Sequence, residues 1–141
     1  MKRTASAAWS GDLKQGKGTV STQSGVLKDT AYSFSTRFEN GIGTNPEELI
    51  AAAHAGCFTM ATAAALGRAG FTAEKLATTA TLTLEQVSGK WTITTVDLQM
   101  TARIPGIDKA KFDEIAADAK ANCPVSRVLN AKISLNAKLE P

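Results

Sequence analysis

Apolar and polar positions along the chain fall into three regimes. Leu76 to Val87 and Trp91 to Ile104 alternate apolar residues with threonines and other polar residues, the period of strands with one buried face. Ser88-Gly89 between them supplies a turn, so the two runs read as a hairpin. Lys132 to Leu139 alternates in the same way and predicts a last strand. Leu49 to Leu66 behaves differently: eighteen residues pass without a formal charge. Asn45 can cap a helix there, Pro46 fits its first position, and Glu47 and Glu48 oppose the positive end of its dipole. Asn45 and Glu48 also have capping-box spacing. This helix is expected to reach about Arg68, with Gly70 as the stop. Being apolar nearly all round, it reads as a central helix covered on most sides.

Asp108 starts a second helix that runs to about Ala121, with Phe112, Ile115, Ala116 and Ala119 on one face. Ile107 and Phe112 can staple its start. Cys123-Pro124 interrupts it, and Val125 to Leu129 forms a further turn. The N-terminal third reads as strands and turns: Ala5–Trp9, Gly18–Thr22 and Tyr32–Phe38. In the last of these, Tyr32, Phe34, Thr36 and Phe38 share one face, and Arg37 projects from the polar one. Two helices and several mostly antiparallel strands make an α+β fold.

Length and composition narrow this picture. The 141 residues make one domain's worth of chain, 1–141, able to bury a core without disulfides or metals. Aromatic residues are only 6%, so the core must be built from Ala, Leu, Ile, Val and Thr, and a core that lean has reason to borrow surface from a second copy. The net charge is +3, and its excess is spread through the first 45 residues as single lysines and arginines. Nucleic-acid binding needs a clustered basic stripe, so none is expected. Thr4 to Asp12 is too polar to follow Lys2 and Arg3 as the apolar part of a signal peptide. The uncharged Leu49–Leu66 window is Ala-, Gly- and Thr-rich and shorter than a strongly apolar span of about twenty residues. The chain therefore reads as cytoplasmic, with no membrane partner.

Chemistry-bearing residues are few. Cys57 and Cys123 are either packing groups or a transient redox pair, since a structural disulfide does not suit a reducing compartment. Cys123 precedes Pro124 at a helix restart, a position that stabilises a thiolate. Cys57 lies mid-helix and needs a cation from elsewhere. Arg37 is a candidate source, the alternative being a surface arginine paired with a carboxylate. His54, the only histidine, lies one turn before Cys57 and reads best as a hydrogen-bonded core residue. The histidine and cysteines together give only three ligands, which argues against zinc. Glu47 and Cys57, ten positions apart, lie about 15 Å apart along one helix. Any joint role for them requires Glu47 to reach the Cys57 of a second subunit, so a homodimer with interfacial sites is expected.

Several segments resemble the OsmC/Ohr family: Gly25-Val26-Leu27, Thr36-Arg37-Phe38-Glu39, the run from Gly43 to Phe58 with its Asn45-Pro46-Glu47 helix start and Cys57, Ile104-Pro105-Gly106-Ile107, and Asn122-Cys123-Pro124-Val125-Ser126. The match runs over essentially the whole chain, and the Ser-Gly-Val-Leu and Thr-Arg-Phe-Glu segments resemble the OsmC branch rather than the organic hydroperoxide resistance branch. The resemblance implies an intertwined homodimer with sheets packed around two central helices per chain. It also implies a two-cysteine peroxidase without haem, flavin or metal. By carry-over, Cys57 is the peroxidatic cysteine, Cys123 the resolving one, and Arg37 and Glu47 the charged pair that orients and activates the thiolate.

A Cys57 thiolate attacking a hydroperoxide gives a sulfenic acid, which Cys123 condenses to a disulfide that an external dithiol, of lipoyl type by the resemblance, then reduces. A pocket beside Cys57 lined by Leu49, Phe58 and Met60 would favour organic hydroperoxides over hydrogen peroxide. Three other readings compete: an enzyme of the organic hydroperoxide resistance branch, a non-catalytic dimer that binds an apolar small molecule, and a redox sensor using the same cysteines.

Overall fold

In the computed structural model, which describes residues 1–141, the chain forms an α+β fold of six strands and four helices. It divides into two compact units, Met1–Leu49 and Ile50–Pro141.

The first unit is a three-stranded antiparallel sheet in the order β1 (Ala5–Ser10), β2 (Lys17–Thr22), β3 (Thr30–Tyr32). Gly18 has no room for a side chain, because a Cβ there would stand 2.4 Å from the Tyr32 ring and 2.6 Å from that of Trp9. Strand β1 is exposed at all six positions. The segment expected to continue as a strand to Phe38 instead turns into a short helix, α1 (Phe34–Phe38). Local hydrogen bonding overrides the alternation: Ser33 Oγ accepts from the Thr36 amide at 3.3 Å, while Thr36 Oγ1 accepts from the Ser33 amide at 2.8 Å. This reciprocal box satisfies two donors that a strand would have had to pair across a sheet. Arg37 consequently projects from a helical turn rather than from a sheet face.

Helix α2 (Pro46–Arg68) starts where expected, with Asn45 Oδ1 accepting from the Glu48 amide at 2.8 Å. The Asn45 side-chain amide donates to the Thr36 carbonyl at 2.9 Å and so ties this start to α1. At its far end, Gly70 takes the left-handed conformation (φ +85°) that closes a helix.

The second unit contains the other sheet, β4 (Lys75–Val87), β5 (Lys90–Arg103) and β6 (Lys132–Leu139), in that order. Ser88 (φ 51°) and Gly89 (φ 77°) form the two-residue hairpin turn, with Val87 paired to Lys90. Asp108 caps α3 (Lys109–Asn122) by accepting from the Lys111 amide, and α4 (Pro124–Val128) follows at once. These helices form a crossover, so β6 returns parallel to β5 and is the one parallel pairing in an otherwise antiparallel molecule.

Val96, Leu98, Met100 and Ala102 of β5 point into the core, where they meet Phe58 and Leu66 of α2 and Phe112, Ile115 and Ala116 of α3. Only one stripe of α2 is buried: His54, Phe58, Thr62, Ala65 and Leu66. The expectation of a helix covered on most sides is not met within one chain. Ala53, Gly56, Met60, Ala64 and Gly67 are exposed, because the sheet and α3 cover a single face of α2. By length and composition α2 could cross a membrane, with 22% of its most apolar window buried in the protein.

Ser33→Ala tests the helical assignment around Arg37. Losing the cap costs about 1 kcal/mol, so amide exchange of residues 36–39 is expected to speed up about fivefold, with β4 and β5 unaffected. Hydrogen exchange followed by mass spectrometry measures it.

Candidate functional site

Two clusters gather the residues singled out by the sequence. In the first unit, Arg37 on α1 grips Glu47 in the first turn of α2. Arg37 Nη2 donates to Glu47 Oε1 at 2.6 Å, and Nε donates to Oε1 at 3.0 Å and to Oε2 at 3.2 Å. The Glu47 side chain is 13% exposed and that of Arg37 38%, so the guanidinium retains an open side. Its carbon also stands 5.3 Å from the centre of the Phe38 ring, a cation–π distance. Neighbouring Glu48 is occupied differently, with its Oε1 accepting from the Thr44 hydroxyl at 2.6 Å.

Beside Arg37 lies an open cavity of about 300 Å³ lined by Trp9, Leu13, Tyr32, Phe34 and Phe38. Trp9 and Tyr32 rings meet at 5.5 Å, and Phe34 and Phe38 at 5.0 Å. This cavity is a different place from the pocket expected beside Cys57. Phe58 is fully buried in the core and cannot face an open pocket, while Met60 is 76% exposed on the bare face of α2. The aromatics escaped the sequence reading because β1, β3 and α1 carry them from separate segments.

The second unit brings the two thiols together. Cys57, half-buried on α2, lies against the Cys123 thiol and the backbone N–H of Val125. Burial pushes the Cys57 thiol up from its ordinary range. The Val125 N–H pulls it down, and the hydrogen bond shared with Cys123 raises it again. Both cysteines are free. Cys123 is buried and does two backbone jobs: its N–H closes α3 on the Ala119 carbonyl, and its thiol caps α4 by accepting from the Ser126 amide at 3.4 Å.

Ser126, which the sequence reading passed over, joins the thiols to the histidine. Its hydroxyl lies 3.0 Å from Cys123 Sγ and 2.7 Å from His54 Nε2. A Cys-x-x-Ser spacing at a helix restart is the available signal, since it sets an N-cap against the third helical residue. His54 is the hydrogen-bonded core residue expected, fully buried, with Nδ1 lacking any partner. Burial lowers its pKa. No group of three or more His, Cys, Asp and Glu residues is arranged to hold a metal.

His54 remains neutral in the fold, whereas an unfolded chain takes up a proton as the pH falls through about 6.5. Stability is therefore full above that value and declines below it, until the depressed folded value is reached. Urea unfolding at pH 7.5 and 5.5 is expected to show this loss, and the part due to the single histidine should vanish in His54→Gln.

The OsmC-like protein family matches residues 39–138. Peroxiredoxin OsmC of Escherichia coli K12 is 54% identical over 134 residues, covering 95% of this chain and 94% of that protein. Among solved structures, an OsmC-like protein from Vibrio cholerae superposes with a TM-score of 0.77 at 16% identity, covering 97% of this chain and 99% of that one. An organic hydroperoxide resistance protein from Elizabethkingia anophelis reaches 0.75 at 23% identity, covering 99% of both chains.

Proposed function

The chain belongs to the OsmC-like protein family, and from this we propose that it is a cysteine-based peroxidase that reduces organic hydroperoxides, and hydrogen peroxide less well, in oxidative stress defence. The observation that carries the reading is the meeting of Cys57 with Cys123 beside the Val125 N–H. A disulfide between them needs the two thiols to be neighbours in this way. The 54% identity to a protein named a peroxiredoxin supports the same chemistry.

In this mechanism the Cys57 thiolate attacks the distal oxygen of ROOH. The O–O bond breaks, RO⁻ leaves and takes a proton to give ROH, and Cys57 becomes a sulfenic acid. The Cys123 thiol displaces that hydroxyl as water and forms the S–S bond, which protects Cys57 from further oxidation. A dithiol, which we assign to the lipoyl type, returns both cysteines to thiols by exchange and is itself oxidised. No metal or organic cofactor enters these steps.

Activating Cys57 requires a positive charge. Its own chain raises the thiol by burial, and Glu47, with the arginine it holds, lies about ten residues up the helix, roughly 15 Å along its axis. Arg37 and Glu47 therefore serve the Cys57 of a second copy in a homodimer. Two exposed features support such a partner: β1, bare along its whole length, and the Ala53-Gly56-Met60-Ala64-Gly67 face of α2, small enough for close helix packing. On this reading another copy of the chain covers α2, rather than lipid, and the protein is cytoplasmic. Its two compact units act as one OsmC-like domain. The aromatic cavity beside Arg37 suits the alkyl or aryl end of an organic hydroperoxide.

Turnover of cumene hydroperoxide with a dithiol reductant tests the chemistry. Cys57→Ser is expected to be inactive, and Cys123→Ser to stop after one turnover with an oxidised Cys57. Subunit mixing tests the shared site. Arg37→Ala and Cys57→Ser are each inactive alone, but when co-expressed they should recover about a quarter of wild-type activity by random pairing. If the mixture stays inactive while heterodimers form, Arg37 acts within its own chain.

A further inference from the structure

His54 and Ser126, which the peroxidase steps leave unused, form a hydrogen-bonded line to the Cys123 thiol. His54 Nε2 lies 2.7 Å from Ser126 Oγ, and Ser126 Oγ lies 3.0 Å from Cys123 Sγ. All three residues are buried: His54 at 0%, Cys123 at 1% and Ser126 at 9% exposure.

The direction of the line follows from the orphaned atom. His54 Nδ1 is buried with no partner. A neutral imidazole carries one proton, and a buried N–H without an acceptor is the more costly and rarer arrangement than a bare lone pair. The proton therefore resides on Nε2 and donates to Ser126 Oγ. With its oxygen engaged as an acceptor, the Ser126 hydroxyl turns its own hydrogen toward Cys123 Sγ. The Ser126 backbone N–H already points at the same sulfur from 3.4 Å. Cys123 thus faces two donors from one residue.

We propose that Ser126 is a catalytic residue of the disulfide-forming step, and that His54 is the positioning residue that aims its hydroxyl at Cys123. The proposal rests on the assignment of Cys57 and Cys123 as the peroxidatic and resolving cysteines. In that step Cys123 gives up its thiol proton, and its sulfur attacks the sulfur of the Cys57 sulfenic acid. The S–O bond breaks, the S–S bond forms, and the departing hydroxide takes up one proton as water, balancing the one the thiol released. Negative charge on Cys123 grows before the new bond forms, and a hydroxyl and an amide aimed at it stabilise that charge without reorganising. The line thereby sets how long the sulfenic acid survives, and so how often a second peroxide converts it to a sulfinic acid.

Rapid-quench experiments on reduced full-length protein with one equivalent of cumene hydroperoxide, read by intact mass spectrometry, separate sulfenic acid formation from disulfide formation. Ser126→Ala and His54→Leu are expected to accumulate sulfenic acid, to form the disulfide about tenfold more slowly, and to yield more sulfinic acid at excess peroxide. His54→Gln, which keeps an N–H in place of the Nε2 donor, is expected to restore most of the rate. A role confined to packing would not discriminate Gln from Leu in this way. Wild-type disulfide formation in Ser126→Ala overturns the proposal, even if His54→Leu fails to fold. Equal slowing in folded His54→Gln and His54→Leu overturns the part given to His54. Absence of any sulfenic acid at Cys57 in Cys123→Ser overturns the peroxidase assignment and the proposal with it.

Discussion

Pro124 organises the part of this molecule where the two thiols meet. It has no N–H to continue α3, so the helix ends at Asn122 and the chain restarts as α4 from the proline itself. Cys123 occupies the joint and takes the geometry of a cap at both ends, with φ −62° and ψ 140°. From that one residue follow the thiol's contact with Cys57, the Val125 N–H beside Cys57, and the placement of Ser126 between Cys123 and His54. Replacing this joint with continuous helix would disperse these contacts.

The site combines groups whose demands conflict. Burial suits the neutral histidine and the core that surrounds it, but it works against the anion that peroxide chemistry requires of Cys57. The charged residues that could relieve this are held tightly in a bidentate pair elsewhere along the helix. That pair is prearranged by short-range features alone: the Ser33–Thr36 box sets α1, and the Asn45 side chain locks α1 to the start of α2. Positioning and reactivity are thus built from separate local devices.

Much of this was legible in the chain. Asn45, Pro46, Asp108, the Ser88-Gly89 turn and the alternating runs predict their elements closely, because each signal acts within a few residues. Tyr32–Phe38 misleads for the same reason. Its alternation is a strand signal, but a serine and a threonine three residues apart supply a stronger local bond, and a helix results. The two thiols and the core histidine could be picked out by residue type. Ser126 could not, since its importance lies in meeting a residue 72 positions away in the chain. The aromatic cavity was hidden likewise, being assembled from three elements, none of which marks it alone.

The unequal coverage of α2 carries a further consequence. One side of the helix is buried against its own chain, and the other presents alanine, glycine and methionine. A newly made chain in this form holds its arginine on a carboxylate and its half-buried thiol without a neighbouring cation. On the proposal that Arg37 serves the thiol of a second copy, a lone chain would leave its own Cys57 unactivated. In the dimer proposed above, the bare face of α2 would then act as a safety catch for that thiol, released when a second copy covers it.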